Sequence, residues 1–236
     1  MKRFLKRLYR YLFCRKGYGV HSPFVFDLIT NVLEERYGYY AYTELKAARL
    51  MLQDAAKMKD MRISQRECEW LFRLANRFKP SRIIMVGSGA GLIPLCLTSY
   101  VSGGIHGIAL EQDALIADVT RTLLRERATS PVEVRCEAYE TSLPKALSDL
   151  GRHPDCIVLD GTTTRALSAL LRCCADFIHE DTLLIVRGID VSPEANEAWR
   201  TACAFPSATV SIDACTWGII FFRPGLPRKT FRHVVC

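Results

Sequence analysis

The chain has 236 residues, enough for one large domain or for a domain with an extension. Hydrophobic residues make up 49% of it and charged residues 24%, so a sizeable core can form and broad disorder is excluded. The formal net charge of +7 is concentrated: Lys2, Arg3, Lys6, Arg7, Arg10, Arg15 and Lys16 stand in the first 26 residues with no acid among them. The rest of the chain is balanced, unlike a uniformly basic nucleic-acid binder.

The ten cysteines include no C-x-x-C pair. Cys96, Cys136 and Cys156 lie in apolar runs, where a free thiol acts as a small hydrophobe. There is no secretory h-region and no apolar stretch of bilayer length. The expectation is a soluble, cytoplasmic protein with reduced thiols.

In chain order, MKRFLKRLYRYLF reads as a basic amphipathic helix. Phe4, Leu5, Leu8, Tyr11 and Leu12 share one side, and Lys2, Arg3, Lys6, Arg7 and Arg10 the other. Its apolar face either packs on the domain, or residues 1–16 attract the helix to an anionic phospholipid surface on the inner face of a membrane. No base-reading motif accompanies the charges, which argues against nucleic acid. Ser22 and Pro23 have the character of an N-cap and a first helical residue. A second helical stretch runs over 44–58. Ser64 and Glu67 have capping-box spacing ahead of Leu71, Leu74 and Phe78.

At Lys79-Pro80-Ser81 the character changes. Strand-like runs at 82–86, 105–110, 132–136, 156–160 and 182–186 alternate with helical stretches, near 115–126 and 164–178 among others. Ser192-Pro193 opens a further helix through Trp199. Alternation of this kind implies an α/β fold, a parallel sheet with helices on both faces. Two closing strands, 208–212 and 218–222, have a link too short for a parallel crossover and are expected as an antiparallel hairpin. The organisation expected is a helical extension over 1–79 on a core domain over 80–236.

The motif that carries chemistry is IIMVGSGAGL, a strand, a glycine turn and a helix start. Gly87, Ser88, Gly89 and Gly91 let the chain turn tightly and let a ligand meet bare backbone, with helix N–H groups beyond. Glu111 closes the second strand, where a carboxylate can accept both hydroxyl hydrogens of a ribose. A nicotinamide fingerprint wants Gly or Ala at the third glycine position, where this chain has Leu92.

The GSGAG spacing resembles motif I of class I methyltransferases. GVHSPFVFDLI, LFRLANRFKPSRII, CIVLDG, NEAW and SIDACTWGIIFFR, in that order over 19–231, are similar to a group of these enzymes found in Bacteroidetes. The resemblance implies a doubly wound, mostly parallel seven-stranded sheet with an antiparallel last strand, and S-adenosylmethionine as methyl donor. It also exposes departures. Met85 stands where the group places Glu, and Glu137-Ala138 where it tends to Gly-Asn, with Ala138 at the adenine edge. Thr162 and Thr163 follow Asp160-Gly161 in place of Asn-His, and Arg187-Gly188-Ile189-Asp190 replaces Asp-Asp-Ile-His.

The last change removes acids that hold a divalent cation in the related metal-dependent O-methyltransferases. Mg²⁺ wants oxygen ligands in octahedral array, and Arg187 would repel it. His21, His106, His153, His179 and His233 show no metal spacing. The expectation is therefore metal-independent transfer to a small-molecule substrate, with Asp160 as candidate base and Arg187 beside it. Asp190 is a lesser candidate, and Asp160 read alone is equally a turn or cap residue. Trp199 and Trp217 are expected in the core. The alternative is a catalytically reduced relative that binds the donor, its product or a protein partner.

Overall fold

Strand composition explains why the sheet is covered on both sides. Along β1 (Arg82–Val86), Ile83 and Met85 join one core cluster while Ile84 and Val86 join another, and all four are fully buried. A strand apolar on both faces belongs inside a parallel sheet flanked by helices. The computed structural model, which describes residues 2–52, 63–101, 103–151 and 153–235, has this form.

Its sheet contains β1, β2 (His106–Glu111), β3 (Val132–Cys136), β4 (Cys156–Asp160), β5 (Leu183–Arg187), β6 (Val210–Ala214), β7 (Trp217–Phe221) and β8 (Lys229–Arg232). The order is β3-β2-β1-β4-β5-β7-β6-β8. β1 to β5 run parallel, and β7 is antiparallel to both β5 and β6. One face is covered by α2 (Pro23–Leu28), α3 (Ala41–Met51), α4 (Gln65–Phe78), α5 (Leu92–Thr98) and α6 (Ala114–Arg127). The other carries α7 (Tyr139–Asp149), α8 (Leu167–Ala175) and α9 (Pro193–Cys203). The α/β, doubly wound architecture is the one the sequence implies.

Four features differ from the sequence reading. The sheet has eight strands rather than seven, and the strand after the antiparallel β7 is β8, which pairs parallel with β6. Only Phe231 of β8 is buried, so backbone pairing rather than apolar patterning defines this edge strand. The hairpin strands lie at 210–214 and 217–221, because the turn falls at Cys215-Thr216, with Cys215 at φ +72°. A helix, α7, fills the stretch between β3 and β4, and Cys136 is exposed rather than part of the core. Of the helix expected over 44–58, the structure gives Ala41–Met51, and 53–58 lie outside the described residues.

Helix starts follow local chemistry. Ser22, Ser64 and Ser192 each accept a hydrogen bond from a backbone N–H three residues on, and Glu67 completes the capping box. α2 runs on as a π-helical turn, Ile29–Leu33, whose end would leave carbonyls unpaired. The buried Arg73 of α4 supplies the donors, Nε to the Val32 carbonyl at 2.7 Å and Nη2 to that of Leu33 at 3.0 Å. Glu67 also accepts from the Trp217 indole at 2.8 Å, and Trp70 lies 5.8 Å from the Trp217 ring. α4 is thereby fixed to β7.

α1 (Lys2–Phe13) is held to the far edge of the sheet by Arg10. Its guanidinium donates to both carboxylate oxygens of Asp213 at 2.6 Å and to the His233 carbonyl at 3.1 Å. The His233 ring closes the clamp through the Cys14 carbonyl at 3.1 Å.

This clamp makes stability sensitive to acid. Burial pushes the His233 imidazole below its ordinary value, outweighing the Cys14 carbonyl and Glu34, while Arg15 and Arg10 push the same way. His233 is therefore neutral at neutral pH, and its 3.8 Å contact with Glu34 is not an ion pair there. Below about pH 6.5 the unfolded chain takes up the proton more readily than the folded one, so this contribution is full above that pH and falls beneath it. Asp213 acts lower down. Burial tends to raise its pKa, but the hydrogen bonds and charge of Arg10 hold it below the usual carboxylate range. Its stabilisation is lost only as pH falls from about 4 through that depressed value. Urea midpoints should thus drop between about pH 7.5 and pH 5.5, by less in His233→Gln, with a slope bounded by about 1.4 kcal/mol per pH unit for one proton. A wild-type midpoint that holds or rises over that range would refute the assignment.

Candidate functional site

β1 ends at Val86, beside Leu110 of β2, so the glycine turn and Glu111 lie side by side at the C-terminal edge of the sheet. Gly87, Gly89, Ala90 and Gly91 all have positive φ, from +55° to +91°, a run that glycine tolerates and side chains resist. The turn is tightly packed. A Cβ on Gly87 would stand 2.7 Å from the Asp160 Cβ, and one on Gly91 3.0 Å from Leu123. Close packing against the protein's own chain is thus one reason for glycine at these two positions. The N–H groups of Gly91, Leu92 and Ile93 donate to the Ser88 and Gly89 carbonyls rather than outward.

Glu111 is 1% exposed. Its Oε2 accepts from Ser88 N at 3.2 Å and Ser88 Oγ at 2.8 Å, and Oε1 from Gln112 N at 3.0 Å and Asp113 N at 3.4 Å. A fifth donor was not foreseen from the sequence. The Tyr139 hydroxyl reaches Oε1 at 3.0 Å and lies 3.4 Å from Thr163 Oγ1. Burial, followed by the charge of Glu111, raises the Tyr139 phenol above its ordinary value, so it stays protonated and donating. A carboxylate has about four lone-pair sites, so Glu111 is saturated.

Tyr139 comes from the first turn of α7, and Thr163 from the loop after β4. Their contact therefore crosses the crevice above β1, the strand between β2 and β4. Gln112 makes a parallel strap, Nε2 to the Thr163 carbonyl at 3.1 Å. Ala138, one residue before Tyr139, is exposed at the corner between β3 and α7. The only sequence signal for Tyr139 was an aromatic residue directly after the expected adenine edge.

Asp160 and Arg187 are register partners on β4 and β5. Asp160 is 0% exposed and Arg187 6%, with Nη1 donating to Oδ2 at 2.8 Å. Oδ1 accepts from Thr162 N at 2.9 Å and Thr162 Oγ1 at 2.6 Å. The Arg187 guanidinium lies 5.8 Å over Trp217, which, like Trp199, is buried. Asp190 is half-buried in the loop after β5.

Next to this pair opens a cleft of about 670 Å³, lined by Thr162, Thr163, Arg165, Ser168, Ser192 and Glu194 among others. It sits between the loops after β4 and β5, at the edge where open α/β sheets take ligands. The glycine turn does not line it. His21 lines a separate cleft with residues of β8, at the end of the sheet remote from Glu111.

Glu111 is an acceptor of the kind to which the two hydroxyls of a nucleoside diol donate, but the Tyr139 hydroxyl takes one such position on Oε1. Met85 is in the core, so no acid stands there for the amine of a methionine tail.

Neither a family model nor a curated protein matches the sequence. Among solved structures, an O-methyltransferase from Bacillus cereus in complex with SAH is 16% identical, with a TM-score of 0.63 over 84% of this chain and 96% of its own. The SAH-bound methyltransferase PaMTH1 of Podospora anserina is 13% identical, with a TM-score of 0.60 over 80% and 91%. The O-methyltransferase TomG of Streptomyces achromogenes, in complex with SAM, is 12% identical, with a TM-score of 0.60 over 79% and 91%. The chain has the fold of these class I methyltransferases.

Proposed function

We propose that this chain is an S-adenosylmethionine-dependent methyltransferase that works without a metal ion on a small acceptor. The observation that carries this reading is the alignment of the glycine turn with Glu111, whose carboxylate is held beside the turn by Ser88 at 2.8 Å. The fold shared with SAH- and SAM-bound methyltransferases and the motif likeness to the Bacteroidetes group support it. Bound there, the donor supplies an activated methyl group, so the protein's task is alignment.

Arg187 supports the metal-free part of the reading. It places a fixed positive charge on Asp160, where a cation would otherwise pair. Three donors from Arg187 and Thr162 engage the fully buried Asp160 carboxylate, so it takes an acceptor's proton only from a group that reaches the remaining lone-pair site on Oδ2. The cleft beside the pair is the acceptor's place, with Thr and Ser hydroxyls and Arg165 on its wall.

One observation favours the second reading, a catalytically reduced relative: the Tyr139 hydroxyl on Glu111. Donor binding requires Tyr139 to leave. Exposing its ring and losing one hydrogen bond costs about 3 kcal/mol, which weakens apparent affinity about a hundredfold.

Calorimetry with S-adenosylhomocysteine tests both readings. Tyr139→Ala should bind about tenfold to a hundredfold more tightly than wild type, and Glu111→Gln more weakly. Absence of binding by both wild type and Tyr139→Ala would refute the methyltransferase reading and leave the reduced one. Independently, Mg²⁺ or a chelator should leave product binding and any methyl transfer unchanged, and a reproducible Mg²⁺ requirement would overturn the role given to Arg187.

A further inference from the structure

In water an amphipathic helix normally turns its apolar face to the protein and its charges outward. α1 is docked the other way round. Its inward side centres on Arg10, buried on Asp213 and the His233 carbonyl, while at the flanks the exposed Arg7 bonds the Thr216 hydroxyl at 2.5 Å and the half-exposed Lys6 approaches Asp213 at 3.8 Å. Its outward side is apolar: Phe4 is 69% exposed, Leu12 62% and Leu8 43%, with Leu5, Tyr9, Tyr11 and Phe13 also exposed. The sequence alternative in which this face packs on the domain is thereby overturned.

At about 100° per residue these seven side chains fill a continuous arc of about 200°, in the order Tyr11, Phe4, Leu8, Leu12, Leu5, Tyr9, Phe13. Tyr11 stands at one margin and Tyr9 with Phe13 at the other, their rings 5.1 Å apart, and Phe4 and the leucines lie between. Lys6 and Arg7 lie just beyond the margins, and Lys16 is exposed shortly after the helix. No acid occurs before Asp27. At 12 residues α1 is about 18 Å long, too short to span a bilayer but suited to lie in its surface.

We propose that α1 is an interfacial anchor for an anionic lipid bilayer. Phe4, Leu8 and Leu12 enter the acyl boundary, Tyr9 and Tyr11 sit at headgroup level, and Lys6, Arg7 and Lys16 meet lipid phosphates. Charge decides between lipid and the other obvious occupant, a second copy of this chain. Two copies joined stripe to stripe would set two like-charged rims against each other, whereas an anionic surface complements the rim. The Arg10–Asp213 clamp gives the arrangement its orientation, because it uses the ionic face for docking and leaves the apolar face for the membrane. This inference is independent of the donor site.

Co-sedimentation of the full chain tests it, using phosphatidylcholine vesicles with and without phosphatidylserine. Binding is expected only with phosphatidylserine, and should weaken with added salt. Leu8→Glu combined with Leu12→Glu leaves Arg10 and Asp213 in place and should reduce vesicle partitioning about tenfold or more without moving the urea midpoint. Phe4→Trp, a substitution on the exposed face, should show a blue-shifted emission on adding the anionic vesicles and none on adding neutral ones. The proposal is overturned if the wild type does not bind anionic vesicles at low salt, or if the double variant binds as well as the wild type. It is equally overturned if wild type is a dimer that the double variant dissolves, which would make a second copy the occupant.

Discussion

The C-terminal edge of the sheet is organised around one buried carboxylate, that of Asp160. It is fully enclosed, so its charge has to be met by neighbours, and an ion left unpaired at such a site costs several kcal/mol. Arg187 meets one oxygen from the adjacent strand, and Thr162 meets the other from the following loop. The Asp160 Cβ is also the wall against which Gly87 turns. Three pieces of chain therefore depend on this position: the glycine turn after β1, the loop after β4 and the end of β5. Bringing Arg187 to Asp160 also sets the guanidinium over Trp217, which ties β7 and, through Glu67, α4 into the same arrangement.

The loop after β4 extends this network across the crevice. Thr163 takes part through its hydroxyl with Tyr139 and through its carbonyl with Gln112. The crevice of a doubly wound sheet is usually where solvent or ligand satisfies the polar groups at strand ends. Here side chains do so, and the conformation is closed. Closure explains how Glu111 can be nearly fully buried without a ligand: each of its lone pairs has a donor from the chain. It also separates the glycine turn from the open cleft beside Arg187, with Thr163 and the Asp160 pair between them.

At the opposite end of the sheet, polar contacts rather than apolar packing fix the periphery. Arg10 joins residues more than 200 positions apart, with Asp213 on β6 and His233 beyond β8. Such a clamp needs long-range contacts to form before it stabilises anything, since the closure entropy of so long a loop has to be offset by a few strong, charge-assisted bonds. The buried Nε2 of His233 has no hydrogen-bond partner among the described residues, which fits a neutral imidazole whose Nδ1 donates to the Cys14 carbonyl.

Much of this molecule follows from local chemistry. The seryl caps at 22, 64 and 192, the glycine turn, the strands at 82–86 and 156–160 and the helices on both faces were legible because each depends on nearest neighbours in the chain or on a short apolar period. The adjacency of Asp160 and Arg187 followed once the strand order was inferred, since parallel neighbours align their ends. Other features were decided only in three dimensions. α7 contains Pro144 and interrupts its own helical signal, so its stability comes from packing Tyr139, Leu143 and Leu147 on the sheet. β8 has little apolar pattern and exists because the edge of β6 offers unpaired backbone groups. The role of Tyr139 depends on a carboxylate 28 residues earlier and a threonine 24 residues later. The orientation of α1 could not be read from amphipathicity at all. A helix with one ionic and one apolar face can dock by either, and the choice fell to the half-buried Asp213, which pairs with the buried Arg10.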